Sequence, residues 1–164
     1  MDKLEYIPGD LVMTNGIPIG TKKGIVYQVT ESNADKSAKV KDGNAFTEQK
    51  GSVTLSNIKG KTIHDEGFLF CDCGAWVKDI VPIPLTVEIL KENGWEFTEY
   101  YNDEDGFEWF IFSKDGILPD LYYYPADKDF SVFVCREEVS PYLKFVHQLQ
   151  HLLFGFGLNS EMEV

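Results

Sequence analysis

The chain has 164 residues, of which 43% are hydrophobic and 14% aromatic, and its formal net charge at pH 7 is −12. This length suits one medium domain or two small ones, and the apolar content is too high for a chain that stays disordered. The negative charge disfavours direct binding to nucleic acids and anionic membranes, because both depend on lysine and arginine. It indicates an acidic surface, or an acidic protein that imitates DNA.

The amino-terminal stretch MDKLEYIPGD lacks the apolar core of a secretory signal. No apolar run approaches the roughly 20 residues that a membrane-spanning helix needs. The sequence therefore predicts a cytoplasmic protein without a membrane span.

Residues 1–82 are predicted to form short strands separated by Gly, Asn and Asp turns, in the segments GDLVMTN, GIVYQVT, SAKVKDG, SVTLSNIKG and FLFCDCGAWVKDIVPI. Several short strands in about 80 residues indicate a small barrel or a sandwich. The stretch PGDLV followed by GIVYQV resembles the start of an SH3-like barrel, so we expect a small β-barrel here. The polar segment TESNADKSAKVKDGNAFTEQKG is predicted to be a mobile loop or a long hairpin.

Cys71 and Cys73 lie in FLFCDCGAW, which predicts a strand with both thiols on one face. They are weak candidates for a metal site, since structural zinc usually needs four ligands and nothing in the spacing of His64 or Cys135 supplies the others. We expect packed thiols and no metal. Three cysteines are also an odd number, which does not suggest a disulfide framework.

A boundary is predicted at VPIPL, with a second, α+β module over residues 83–164. Thr86 suits the N-cap of a short helix, and Gly94 suits its end. Strands follow in WEFTEYY, FEWFIFS, DLYYYPA and FSVFVCR, so we expect an antiparallel sheet packed with two helices.

More than half of the aromatic residues lie between Trp95 and Phe133. Aromatic residues on both parities of FEWFIF indicate either two covered faces or an exposed patch that binds a peptide, a sugar or another chain. Core packing against the helices is the simpler interpretation. The candidate binding residues for the second are Trp109, Tyr122 and Tyr124.

The last helix is predicted to begin at Ser140 and Pro141 and to end near Gly155. His147 and His151 are four residues apart, a spacing that can share a metal ion. A helical wheel places both opposite the apolar stripe, and Gln148 stands where a metalloprotease-type motif has its catalytic Glu. We therefore expect two water-facing histidines and no metal.

The stretches PIPLTVEILKENGW and YLKFVHQLQHLLFGFG resemble a family of small uncharacterised proteins encoded by Bacteroides-type bacteria and their prophages or mobile elements. The matching positions are 82–86, Gly94, Trp95 and 147–150, whereas His151 departs from the Asn usual in that family. The resemblance implies no known activity. It implies a bacterial or phage setting and a β-rich module followed by an α+β module.

No nucleophile elbow, phosphate loop or dinucleotide fingerprint occurs in the sequence. We expect a non-enzymatic interaction module without a cofactor and with an unknown protein partner, as in an accessory protein of a phage or mobile element. The alternatives are an acidic DNA mimic that inhibits a DNA-binding protein, and an enzyme with an unfamiliar His or Cys site. The sequence leaves the oligomeric state open.

Overall fold

A computed structural model describes residues 5–42, 45–102, 107–114 and 117–164. These residues form two antiparallel sheets and two α-helices, which confirms the predicted α+β class. None of the described helices is long and apolar enough to cross a membrane. The chain divides into two compact units, Met1–Ile83 and Pro84–Val164. That they are separate domains, as the sequence predicts for residues 1–82 and 83–164, stays a prediction.

The first unit is a five-stranded sheet with the order β4-β3-β2-β1-β5. Its strands are β1 (Leu11–Thr14), β2 (Tyr27–Asp42), β3 (Ala45–Asn57), β4 (Cys73–Trp76) and β5 (Ile80–Pro82), and a one-turn 3-10 helix spans Val77–Asp79. Alternate residues along β2 and β3 point into one apolar core, whose most buried members include Tyr6, Val12, Tyr27, Val29, Val53 and Leu55.

The sheet of the first unit is open, because no strand pairing joins β4 to β5 within the described residues. The predicted SH3-like barrel is therefore not confirmed. The antiparallel sheet itself agrees with the turn-separated strands that the sequence predicts.

Residues 34–42 of β2 and 45–50 of β3, named here the β-arm, continue past the rest of the sheet. The two strands pair with each other from Ser37↔Lys50 to Asp42↔Ala45. The described pairing of β1 with β2 reaches only Gln28, and that of β4 with β3 only residues 52–55. The segment is thus the long hairpin, one of the two structures that its polar sequence left open.

The second unit is a five-stranded meander with the order β10-β9-β8-β7-β6. Its elements are α1 (Val87–Glu92), β6 (Glu96–Asn102), β7 (Phe107–Lys114), β8 (Ile117–Tyr124), β9 (Asp129–Val134), β10 (Glu137–Leu143) and α2 (Val146–Gly155). Helix α1 starts as predicted, since the Thr86 Oγ1 accepts a hydrogen bond from the Ile89 N–H at 3.3 Å.

The start predicted for the last helix is wrong, because Ser140 and Pro141 lie in strand β10 and α2 begins at Val146. Pairing of β10 with β9, from Glu137↔Val134 to Leu143↔Phe130, outweighs the local capping signal. Gln148 performs the capping instead: its Oε1 accepts hydrogen bonds from the backbone N–H groups of Lys144 and Phe145.

The carboxy-terminal tail, residues 158–164, folds back along the second unit. The Gln150 Nε2 donates to the Ser160 carbonyl at 3.2 Å. The Asn93 side chain donates to the Glu163 carbonyl and accepts from the Glu163 N–H, at 2.7 and 2.8 Å. The tail therefore covers a side of α2 that a helical wheel alone would leave in water.

Candidate functional site

The sheet of the second unit has one face in the core and one face that is half-exposed. Phe112, Leu121 and Val132 follow one another across β7, β8 and β9 and are fully buried. Because side chains alternate along each strand, the neighbours of these residues point to the opposite face. That second face is the candidate functional site.

We name this surface the aromatic face and define it by six side chains that share it: Tyr100, Trp109, Ile111, Tyr122, Tyr124 and Phe133. Tyr100 is opposite Trp109, and their rings stack with centroids 5.5 Å apart and planes 8° apart. A second ring pair lies on the same face, where the Tyr122 ring centroid is 4.1 Å from that of Phe133. Offset ring pairs of this kind stabilise a sheet surface.

Side chains of the aromatic face remain accessible. Tyr100 is 41% exposed, and the other five are half-buried. A water-facing sheet surface usually carries polar residues at these positions. Partial exposure of several large rings is therefore the unusual property of this surface.

All three predicted binding residues, Trp109, Tyr122 and Tyr124, lie on the aromatic face. Within FEWFIF, Phe110 and Phe112 point to the core side of the sheet. Trp109 points to the other side, together with Ile111. The role of these residues in binding stays a prediction.

Sequence reasoning missed Tyr100, Ile111 and Phe133 as members of this surface. Side chains alternate between the two faces along a strand, which places Ile111 on the same face as Trp109. The pairing register of neighbouring strands then places Tyr100 and Phe133 on that face. The sequence prediction did not include the register of the strands.

The electrostatic character of the aromatic face is acidic. Its described strand positions carry carboxylates and no lysine or arginine, and the carboxylates are Glu96, Asp120, Asp129 and Glu138. Asp129 is paired with the Lys144 ammonium at 3.4 Å. Burial raises the pKa of Tyr124, and the charge of Glu138 and then Tyr122 raise it further.

The prediction that both histidines face water is wrong for His147. His147 is 6% exposed, whereas His151 is half-buried. The His147 ring stacks on Phe145 with centroids 5.8 Å apart and meets the His151 ring edge-on at 5.7 Å. The physical reason is that the buried side of α2 includes Gln150, next to the tail, and His147 lies three residues before Gln150 on that same side.

The prediction for the cysteines is also corrected. Strand β4 begins only at Cys73, so Cys71 lies outside it, and Cys71 is exposed while Cys73 is buried. The Cys73 thiol donates to the Ile19 carbonyl at 3.0 Å, and burial followed by the nearby Cys71 raises its pKa. Cys135, expected to be packed in a strand, is exposed in the turn between β9 and β10.

Within the described residues, no three His, Cys, Asp or Glu side chains come together in a way that could hold a metal ion. His147 and His151 are neighbours, but the described structure brings no third ligand to them. Cys71 and Cys73 are near each other but differ in burial, since Cys71 is exposed and Cys73 is buried. The aromatic face is therefore the candidate site that the geometry supports best.

Comparison with protein-family models, with curated proteins and with solved structures finds no match to this chain.

Proposed function

We propose that this chain is a non-enzymatic interaction module that binds a basic segment of a partner protein through the aromatic face. The observation that carries the proposal is a sheet surface whose described strand positions combine half-buried aromatic rings with carboxylates and include no lysine or arginine; Lys144, which follows β10, pairs with Asp129 at its border. The aromatic rings and the carboxylates both favour a cationic partner.

The aromatic rings supply contact area. Tyr and Trp are enriched at protein interfaces because they bury much apolar surface while their polar atoms still find partners. The stacked pair of Tyr100 and Trp109 and the packed pair of Tyr122 and Phe133 hold their rings in place before binding. Preorganised rings lose little side-chain entropy on association.

The carboxylates favour a partner with positive charge. Glu96, Asp120 and Glu138 surround the rings, and the whole chain has a net charge of −12. Arginine and lysine are attracted both to carboxylates and to the faces of Trp and Tyr rings. An acidic partner would be repelled, so a cationic segment fits this surface best.

Titration of the protein with a short peptide of alternating arginine and leucine, followed by tryptophan fluorescence and calorimetry, tests the proposal. We expect saturable binding to the full chain. The double change Trp109→Ala and Tyr122→Ala should weaken binding about tenfold or more, because each lost ring removes contact area and a cation–π partner.

Two controls separate the aromatic face from general attraction to an acidic protein. The double variant keeps the net charge, so a loss of binding reports the rings. Phe46→Ala removes an aromatic residue that is 70% exposed on the β-arm and should leave binding unchanged. Equal binding by all three proteins, or preference for a glutamate–leucine peptide, would overturn the proposal.

We also propose that the first unit is an SH3-like barrel with one open seam. Its two edge strands, β4 and β5, are joined by only the 3-10 helix Val77–Asp79, and such a helix rises about 2 Å per residue. A link this short supports an arrangement in which the two edges curve towards each other. Nuclear Overhauser contacts between residues 73–76 and 80–82 would test the closure.

The setting of the module is proposed as the cytoplasm of a bacterium, in an accessory protein of a phage or mobile element. The family resemblance supports the setting. Three cysteines without a disulfide, two of them exposed, support a reducing compartment.

A further inference from the structure

A polar groove in the first unit has properties of a ligand site and is independent of the aromatic face. It encloses about 470 Å³ and opens to solvent. This volume falls in the range of roughly 300–1,000 Å³ that is usual for small-molecule sites. The residues that line it include Thr30, Glu31, Asn33, Lys36, Ser52 and Thr54.

Strand register explains how the floor of the groove is built. Glu31 is opposite Thr54, and Thr54 is opposite Gly74, so these three positions form a row across β2, β3 and β4. Asn33, Ser52 and Trp76 form the next row on the same face. Residues paired in this way point to the same side of a sheet, and here that side is opposite the core residue Val53.

Gly74 keeps the floor open. A Cβ atom added at Gly74 would meet no atom within 4 Å, so the space beside Thr54 is empty. The Trp76 side chain stands two residues further along the same strand, and the Lys36 ammonium is 5.8 Å from its ring centroid. The Trp76 ring therefore lies beside the groove, next to the lining residues Ser52 and Lys36.

Hydrogen bonds inside the groove hold its polar groups in place. The Thr54 hydroxyl donates to the Glu31 carboxylate at 3.3 Å, and the Thr30 hydroxyl donates to the Thr54 carbonyl at 3.2 Å. The Asn33 Oδ1 accepts from the backbone N–H groups of Asp35 and Lys36. That contact orients the Asn33 amide and leaves its NH₂ group to donate elsewhere.

The charges of the lining residues disfavour simple ions. Glu31 repels an anion such as phosphate, and Lys36 repels a simple cation. An apolar ligand would find only Pro8 in the lining and the Trp76 ring beside it. A neutral ligand with many donors and acceptors suits the hydroxyl groups of Thr30, Ser52 and Thr54 together with an amide and a carboxylate, because each polar group of the ligand that leaves water needs a partner.

We propose that this groove binds a neutral saccharide. The hydroxyl groups of a sugar would bond to Asn33, Glu31 and Ser52, and an apolar face of the sugar ring would pack on Trp76. The proposal does not depend on the aromatic face, since all these residues belong to the first unit.

A test is an NMR titration of the full chain with maltotriose, cellotriose and chitotriose in turn. We expect at least one trisaccharide to give saturable shifts of the Trp76 indole and of the Ser52 and Thr54 amides. Asn33→Asp keeps the oxygen that accepts from the backbone and removes the NH₂ donor. Asn33→Asp and Trp76→Ala should each weaken that binding about tenfold, as expected for the loss of a hydrogen bond or a stacked ring.

Trp109→Ala is the matched control, because it removes a tryptophan from the aromatic face and should leave saccharide binding unchanged. The affinity should also be the same at low and high salt, since a neutral ligand experiences little screening. The proposal is overturned if no trisaccharide gives saturable shifts at the groove. It is equally overturned if Asn33→Asp and Trp76→Ala bind as the unaltered chain does.

Discussion

Tyr6 is the residue whose ionisation the fold opposes most clearly. It is 2% exposed, and burial, followed by the charges of Glu5 and Asp10, raises its pKa to about 12. An unfolded tyrosine ionises near pH 10. As the pH rises past 10 the unfolded state loses this proton first, so the free energy of unfolding falls until about pH 12 and is unaffected below that window.

Denaturant midpoints measured between pH 9 and pH 12 test this prediction about Tyr6. The unaltered chain should lose stability steeply over that range. Tyr6→Phe keeps the ring but cannot ionise, so its midpoint should fall less over the same range. Parallel pH profiles for the two proteins would show that the pKa of Tyr6 is not higher in the folded state than in the unfolded state.

The two histidines of α2 should respond differently to replacement. His147→Ala removes a ring that is 6% exposed and packed on Phe145, and we expect it to lower the free energy of unfolding by about 1–3 kcal/mol. His151→Ala, at a half-buried position, should cost less. Urea unfolding of both variants measures the difference, and equal costs would contradict the difference in burial.

At the scale of elements, Leu149 and Phe154 provide a matched pair in α2. Leu149 is fully buried, whereas Phe154 is 67% exposed. Leu149→Ala should cost about 2–5 kcal/mol, because it opens a cavity in the core. Phe154→Ala removes a larger side chain and yet should change stability by only about 0.5 kcal/mol. Thermal and urea unfolding of the two variants would show whether burial or side-chain size decides the loss.

Elements whose signals are local were predicted well. Helix α1 has Thr86 at its N-cap and Gly94 with a φ of 78° just after its end, and both signals are present in the sequence. The start of α2 was missed because Ser140 and Pro141 carry a local capping signal, whereas pairing with β9 is a long-range interaction.

The hairpin between β9 and β10 shows a second limit of local reasoning. Its turn has Cys135 at a φ of 52° and Arg136 at 71°, positions where Gly or Asn is the usual residue. No turn residue marks this place, so Cys135 was expected in a strand. The aromatic face was found in part, because residue type indicates Trp109, Tyr122 and Tyr124, but only strand register shows which other residues accompany them.

At the scale of the whole molecule, limited trypsin digestion should cut the β-arm first. The β-arm carries Lys36, Lys39, Lys41 and Lys50, and its described strands pair only with each other. A two-stranded hairpin without a third strand opens more easily than a strand inside a sheet. Mass spectrometry of the earliest fragments should locate cleavage between residues 36 and 50, before any within 84–156. First cleavage at Lys91 or Lys144 would contradict this order.

The β-arm also has a consequence for how the chain behaves at high concentration. Both edges of a two-stranded ribbon offer backbone groups to which a strand of another molecule can pair, which is a route to aggregation. Lys39, Lys41 and Lys50 stand on one side of the ribbon together with Glu48 and with Phe46, which is 70% exposed, so that side carries a net positive charge. This charge opposes the approach of a second ribbon. Acetylation of these lysines would remove the positive charge and should make pairing between ribbons easier.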